Sequence, residues 1–416
     1  WMREALRQKI VSELAGSTGG RVELRDFQYD WHTLTADFTC LTVHGTESGE
    51  QPPLLRVESG RLRLRIVSLV TRDVHIASLT VERPEVHLLV RADGTTNIPT
   101  PRPAQDRGNA INALLDLKIR HFELSHGLVA IDERQIPVNM RGEGVRLLLR
   151  YERARPRYEI ELSSERLRID SSKFRAPALA VSARAALERN QLTIRQLTLA
   201  NGESSMRANG IIRDFIQPKA DLQVDGSLAA AGLKEIAGLE GFSGGHFALH
   251  GTSHYDAAGG ATFRGRAEAR QVSYQAGAQR WRDVNADCDV LASGQEVTLT
   301  RLVAAYGGAK LTGEAGIRQH RDLRLDGTIS HVPLGEAARY FTSQPLAWGG
   351  MAQGHVRLTG TLGRPDNDFE LQTQVQITPS SEGIPVSGEV QLAYRQRGRR
   401  VEFGNSRLQF PHTQVS

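Results

Sequence analysis

The feature that most limits what this sequence can fold into is an alternation of period two. In RLRLRI, Arg61 to Ile66, the residues Leu62, Leu64 and Ile66 fall on one side and Arg61, Arg63 and Arg65 on the other. RVEL places Val22 and Leu24 together, and EVHLLV repeats the theme with Val86, Leu88 and Val90. Successive side chains of a β-strand point to opposite faces, so these stretches read as half-buried strands, apolar on one side and charged on the other. Tight-turn signals lie between them. Asp93–Gly94 is a hairpin-type pair, and 40 glycines are spread through the 416 residues. Hydrophobic residues reach only 39%, yet valine, leucine and isoleucine recur in periodic blocks, which excludes a disordered chain.

Helical spacing is rare. Residues 1–16 carry a stripe of Met2, Leu6, Ile10 and Leu14 with basic residues between them, closed by Gly16 and Gly19. This predicts a basic amphipathic helix, either an ordinary cap or the juxtamembrane end of an anchor. A proline-rich connection, Pro99 to Gly108, precedes a short predicted helix over 109–117.

From Gln191 the sequence repeats itself at a spacing of about 105 residues. QLTIRQLTLA (Gln191 to Ala200) matches EVTLTRLVAA (Glu296 to Ala305), and LQVDG (Leu222 to Gly226) matches LRLDG (Leu323 to Gly327). Each copy continues into a short helical stretch, Leu233 to Leu239 or Leu334 to Phe341. Each closes on a strand, GHFALHG (Gly245 to Gly251) or GHVRLTG (Gly354 to Gly360). A repeat of strands plus one small helix predicts a stacked, quasi-one-dimensional architecture.

Strand after strand therefore offers one apolar face, with only about four short helices to cover them, and every sheet must bury its apolar side. A sandwich or barrel closes the sheet on itself. A curled trough leaves the lining to be covered by something else, such as an acyl chain. Periodicity alone leaves both open, although aromatic plugs are scarce, at 6% of residues. Some 25 strands would make a ribbon on the order of 120 Å long.

Charge and motifs exclude much. The net charge is +5 and almost wholly due to arginine, since the only lysines are Lys9, Lys118, Lys173, Lys219, Lys234 and Lys310. Arginine suits phosphate groups, but a solvated outer face is the plainer account of any one of them. No recognition helix or aromatic-laced basic patch points to nucleic acid. Cys40 and Cys288 have no metal-like spacing. Gly241–Phe242–Ser243–Gly244–Gly245 fits G-x-S-x-G but lacks the strand-before, helix-after context of a nucleophile elbow. His121 and His126 flank Glu123 without a metal-binding helix pattern, and Asp93 with Asn97 reads as a turn. No enzymatic activity, metal or cofactor is expected. No run of 18 apolar residues occurs.

Two segments resemble the opening of the AsmA/TamB family. They are GGRVELRDFQYDW (Gly19 to Trp31) and RLRLRIVSLVTRDVHIASLTVERPEVHLLVRADGTTNIPTP (Arg61 to Pro101). The latter matches L-x-V-x-x-P-x-V at Leu79, Val81, Pro84 and Val86, then DG-x-x-N-x-P at Asp93, Gly94, Asn97 and Pro99. The later repeats look like TamB-type middle repeats. The resemblance implies a mainly β, elongated, curled antiparallel groove. It implies a periplasmic location with an inner-membrane anchor upstream of Trp1, and phospholipid passing towards the outer membrane. An outer-membrane β-barrel partner and a role in barrel assembly form the second expectation. The expected organisation is 1–18 amphipathic helix, 19–100 AsmA-like β region, 101–190 linker, short helix and β region, 191–294 and 295–400 two TamB-type repeats, and 401–416 the start of a further repeat. The candidate lining is Val22, Leu24, Leu62, Leu64, Ile66, Leu79, Val81, Val86, Leu88, Val90, Leu192, Ile194, Leu222, Val224, Val297, Leu299, Leu323, Leu325, Val356 and Leu358.

Overall fold

The computed structural model describes residues 19–47, 51–68, 73–91, 118–133, 138–171, 177–215, 217–234, 240–276, 279–319, 321–338, 348–361, 368–381, 383–398 and 400–415, with isolated positions between them. The chain is mainly β and divides into two compact units at Lys219/Ala220, inside the 191–294 segment.

The first unit carries ten strands: β1 (Val22–Asp30), β2 (Thr35–Val43), β3 (Leu55–Ser68), β4 (Asp73–Val90), β5 (His121–Glu133), β6 (Val138–Glu152), β7 (Arg157–Ser171), β8 (Leu179–Glu188), β9 (Gln191–Asn201) and β10 (Ser204–Arg213). Neighbours in sequence pair antiparallel, with one exception: β4 and β5 run parallel. A hairpin turn cannot join parallel strands. They need a crossover of roughly a dozen residues or more. The proline-rich connection over 91–120 supplies it.

Cross-strand partners share a face, so the register shows which residues lie in line. One apolar ladder crosses all ten strands: Tyr29, Ala36, Leu62, Leu79, Phe122, Leu149, Ile160, Ala185, Ile194 and Gly210. A second runs beside it through Phe27, Phe38, Gly60, Val81, Leu124, Leu147, Leu162, Ala183, Leu197 and Ala208. Gly60 makes room there for the Phe38 ring, which a Cβ at 2.2 Å would displace.

The alternation slips by one residue inside many strands. In β4 the apolar set is Leu79 and Val81, then Pro84 and Val86. In β5 it is Phe122 and Leu124, then Gly127 and Val129. At each slip a residue adopts a left-handed backbone, Arg83 (φ 47°) in β4 and His126 (φ 53°) in β5. In β5 this is a β-bulge, marked by a shift of register against β6, whereas β4 stays in register there with both neighbours and bends without one. In both strands the apolar residues beyond the left-handed residue return to the same face. The x-x of L-x-V-x-x-P-x-V, Glu82 and Arg83, is therefore a left-handed bend in the strand. Repeated from strand to strand, such bends curl the sheet of each unit into an open trough.

At one edge, Glu4, Arg7, Gln8, Val11, Ser12 and Ala15 are helical. Val11 packs against the core of Leu24, Phe27 and Ala36, and Arg7 Nη1 donates to the Leu24 carbonyl at 2.8 Å. The stripe residues Met2, Leu6, Ile10 and Leu14 lie outside the described residues. So does the predicted 109–117 helix, except for Leu115, which is helical and buried beside Leu149, Tyr158 and Leu187.

The second unit holds β11 (Lys219–Ala229), a 3-10 turn (Ala230–Gly232), β12 (Phe242–Asp256), β13 (Gly260–Ala276), β14 (Gln279–Ser293), β15 (Glu296–Tyr306), β16 (Ala309–Arg318), β17 (Asp322–Pro333), the helix α1 (Leu334–Ala338), β18 (Trp348–Thr361) and β19 (Asp368–Pro379). It continues with β20 (Ile384–Pro385), β21 (Ser387–Arg395), β22 (Arg400–Phe403), β23 (Arg407–Gln409) and β24 (Gln414–Val415). The repeat is visible in the elements. β9, β10 and β11 lead through a single helical turn to β12, and β15, β16 and β17 lead through α1 to β18. Among the described residues no helix is long and apolar enough to cross a membrane.

Candidate functional site

The apolar face of the second unit is built the same way. One ladder runs Gly251, Gly265, Val290, Leu299, Ala315, Leu325, Leu358, Leu371, Tyr394 and Val401 from β12 to β22. Another runs Phe247, Ala269, Ala286, Ala304, Leu311, Ile329, Gly354, Val375 and Val390. Bulges at Gln271 (φ 53°), Arg301 (φ 51°) and His331 (φ 56°) keep Val272, Leu302 and Val332 in phase with these rows. Most of these aliphatics are half-buried, not sealed. Each Å² left in water forgoes about 25 cal/mol of burial free energy, so the face retains affinity for an apolar partner.

The face deepens into a cavity of about 510 Å³ at β17–β23, within the ~300–1,000 Å³ range of small-molecule sites. Its walls are Ile329, Val332, Ala352, Val356, Leu371, Val375, Ile377, Val386, Val390, Leu392 and Leu408, with Leu334 and Ala337 of α1 over one side. Thr373 is the one polar residue in that wall. Its Oγ1 is buried with no hydrogen-bond partner among the described residues. The floor is packed, with Val386 fully buried against Ala352 and Ile377. The rim is open: Phe403 is 67% exposed, and Trp348 and Val401 also reach solvent.

The opposite face carries the charge. Arg61 meets Asp37 at 2.6 Å, Arg150 meets Glu161 at 3.1 Å, and Arg318 meets Glu296 at 3.0 Å. Asp287 accepts from Arg270 and Arg266, which hold its carboxyl at about 2. His355 and Arg357 hold the Asp326 carboxyl below its ordinary range. His250 and His254 of β12 reach Asp225 and Asp221 of β11, both at 2.8 Å. These arginines sit in cross-strand ion pairs on a solvated face.

Within the first unit, Leu62, Leu79 and Ile194 share the first ladder and Val81 lies in the second. Val22 and Val86 belong to a third row with Val43, Leu55 and Val129. Leu24 pairs with Leu41, Leu64 with Ile76, Leu88 with Ile131, Val90 with Glu133, and Leu192 with Leu187 and Ile212. Ile66 pairs with Val74, and its side chain lies outside the described residues. In the second unit, Leu299, Leu325 and Leu358 share a ladder. Val297 and Leu323 both pair with Ile317, and Val356 lines the cavity. Leu222 and Val224 are half-buried on β11. Val22 and Leu24 are fully packed, whereas Leu62, Leu64 and Leu325 keep accessible surface.

Sequence reasoning missed most of the cavity. Leu371, Val375 and Ile377 alternate with glutamines in LQTQVQI, a signal that was there to read. Val386 and Leu408 come from short, irregular stretches with no period. Other motifs find plain structural places. Asn97 is buried, accepting from Leu89 N at 2.9 Å and donating to His87 O at 2.8 Å, so it staples the end of β4. Ser243 is exposed on β12. His126 and Ser125 bond Glu82 on the neighbouring strand. Cys40 and Cys288 are free thiols, and burial pushes the Cys288 thiol up. No family model, curated protein or solved structure matches this chain.

Proposed function

We propose that this chain is a passive conduit for phospholipid, with acyl chains lying along the apolar sheet face and headgroups towards water. The observation that supports the reading is the apolar, mainly aliphatic ladders of each unit, charged on their reverse, with many of their residues only half-buried. Aliphatic walls without directional polar groups suit fluid chains. The resemblance of Gly19 to Trp31 and Arg61 to Pro101 to the AsmA/TamB family supports a place in the periplasm, on an inner-membrane anchor, supplying the outer membrane.

The test is native mass spectrometry of the purified chain, followed by transfer of fluorescent phospholipid between vesicles. Co-purified phospholipid and transfer are expected. Folded Leu64→Asp or Leu88→Arg should lose transfer, because each puts an unpaired charge on the apolar path. A lipid-free protein would overturn the proposal. So would a folded variant that transfers at the wild-type rate, or lipid-free protein crosslinked along a strand edge to nascent barrel protein.

A further inference from the structure

Beside the apolar cavity lies a second one of about 1010 Å³, and the two share Val332, Ala337 and Leu371. All three residues are aliphatic, so the cavities meet at α1 across apolar walls. From there the second cavity runs past Pro333 and Tyr394 to Arg282 and Asp283 of β14 and Gln396 just after β21. Oily space on one side of α1 thus leads to polar space on the other.

The helix is pinned at this meeting point. Leu334 packs against the buried core of Ala352, Ile377 and Val386. Its Cδ1 fills the place beside Gly350, where a Cβ would come within 2.8 Å of it. Ala337 follows three residues later, on the same side of the helix, and both residues wall the apolar cavity. Where Leu334 fills the space beneath the helix, Ala337 extends a single methyl group into it. Val332 and Leu371 of the sheet supply the other walls.

We infer that Ala337 sets the width of a passage beneath α1 through which one acyl chain of a phospholipid threads between the two cavities. This deepens the conduit reading and rests on it. The shared walls carry no hydrogen-bonding side chain. A headgroup drawn between them would lose its water without replacement, whereas an acyl chain loses nothing. The chain is therefore the part that passes Ala337, and the size of side chain 337 decides whether it passes.

The experiment uses the full chain, carrying fluorescent phosphatidylcholine between vesicles of dioleoyl-phosphatidylcholine, with native mass spectrometry to read bound lipid. Ala337→Trp should slow transfer by about tenfold or more, because a chain moving past the indole must overfill the opening. It should still retain phospholipid, since the cavities on either side remain. Ala337→Gly leaves the opening clear and should transfer at least as fast as the wild type. Transfer by folded Ala337→Trp at the wild-type rate overturns the passage and leaves the conduit standing. Equal losses in Ala337→Gly and Ala337→Trp also overturn it, since the integrity of the helix would then matter and the opening would not. A wild type that neither retains nor transfers phospholipid overturns passage and conduit together. Should Ala337→Trp fail to fold, Leu371→Phe narrows the same opening from the sheet and is held to the same outcomes.

Discussion

Tyr158 is fully buried, and its hydroxyl accepts the Ile119 N–H at 2.8 Å. Tyr158→Phe keeps the ring and orphans a buried donor, so stability should fall by about 1–3 kcal/mol, read from the urea midpoint. Thr373 is the opposite case. Its hydroxyl is buried without a partner in an apolar wall, and valine has nearly the same shape. Thr373→Val should raise stability by about 1 kcal/mol. Asp287 carries a pH dependence. Its folded carboxyl titrates at about 2 against an ordinary 3.8, because Arg270 and Arg266 favour the charged form. The folded state therefore gains stability above pH 3.8 and loses it as pH falls towards 2. With Asp287 and Arg270 each about a third exposed, solvent screening holds the effect below about 1 kcal/mol. In urea titrations the gap between wild type and Asp287→Asn should close across that window.

At the scale of the element, the bulge is the unit of construction. Gln271 sits at φ 53° on β13, where a side chain is strained and glycine is not. Gln271→Gly should be neutral to stabilising. Gln271→Val, with a β-branched side chain forced into the left-handed region, should cost at least about 1 kcal/mol. Equal midpoints for the two would show that the bulge is not held in that conformation. The bulges also explain why strict alternation reads these strands imperfectly. VTLTRLVAAY looks like two short strands out of phase, yet it is one strand, β15, turned at Arg301.

At the scale of the molecule, each unit turns one oily face inward and one charged face outward, and the two kinds of information part company. Alternation is a local property: RLRLRI and LRLDG commit their leucines to one face wherever the strand goes, because side-chain direction follows backbone pleat. The mainly β class and the repeat from β9 and β15 were legible for that reason, and the proline-rich connection was legible as a break between strands. The parallel step itself was not, since nothing local says which edge a strand joins. Nor was the cavity under α1, where Val386, Leu408 and Trp348 meet from stretches far apart in sequence. Which leucines are sealed, as Leu24 is, and which stay open, as Leu325 does, depends on what the curl of the sheet brings over them. That is a sum of bends and long-range packing that no single stretch of residues contains.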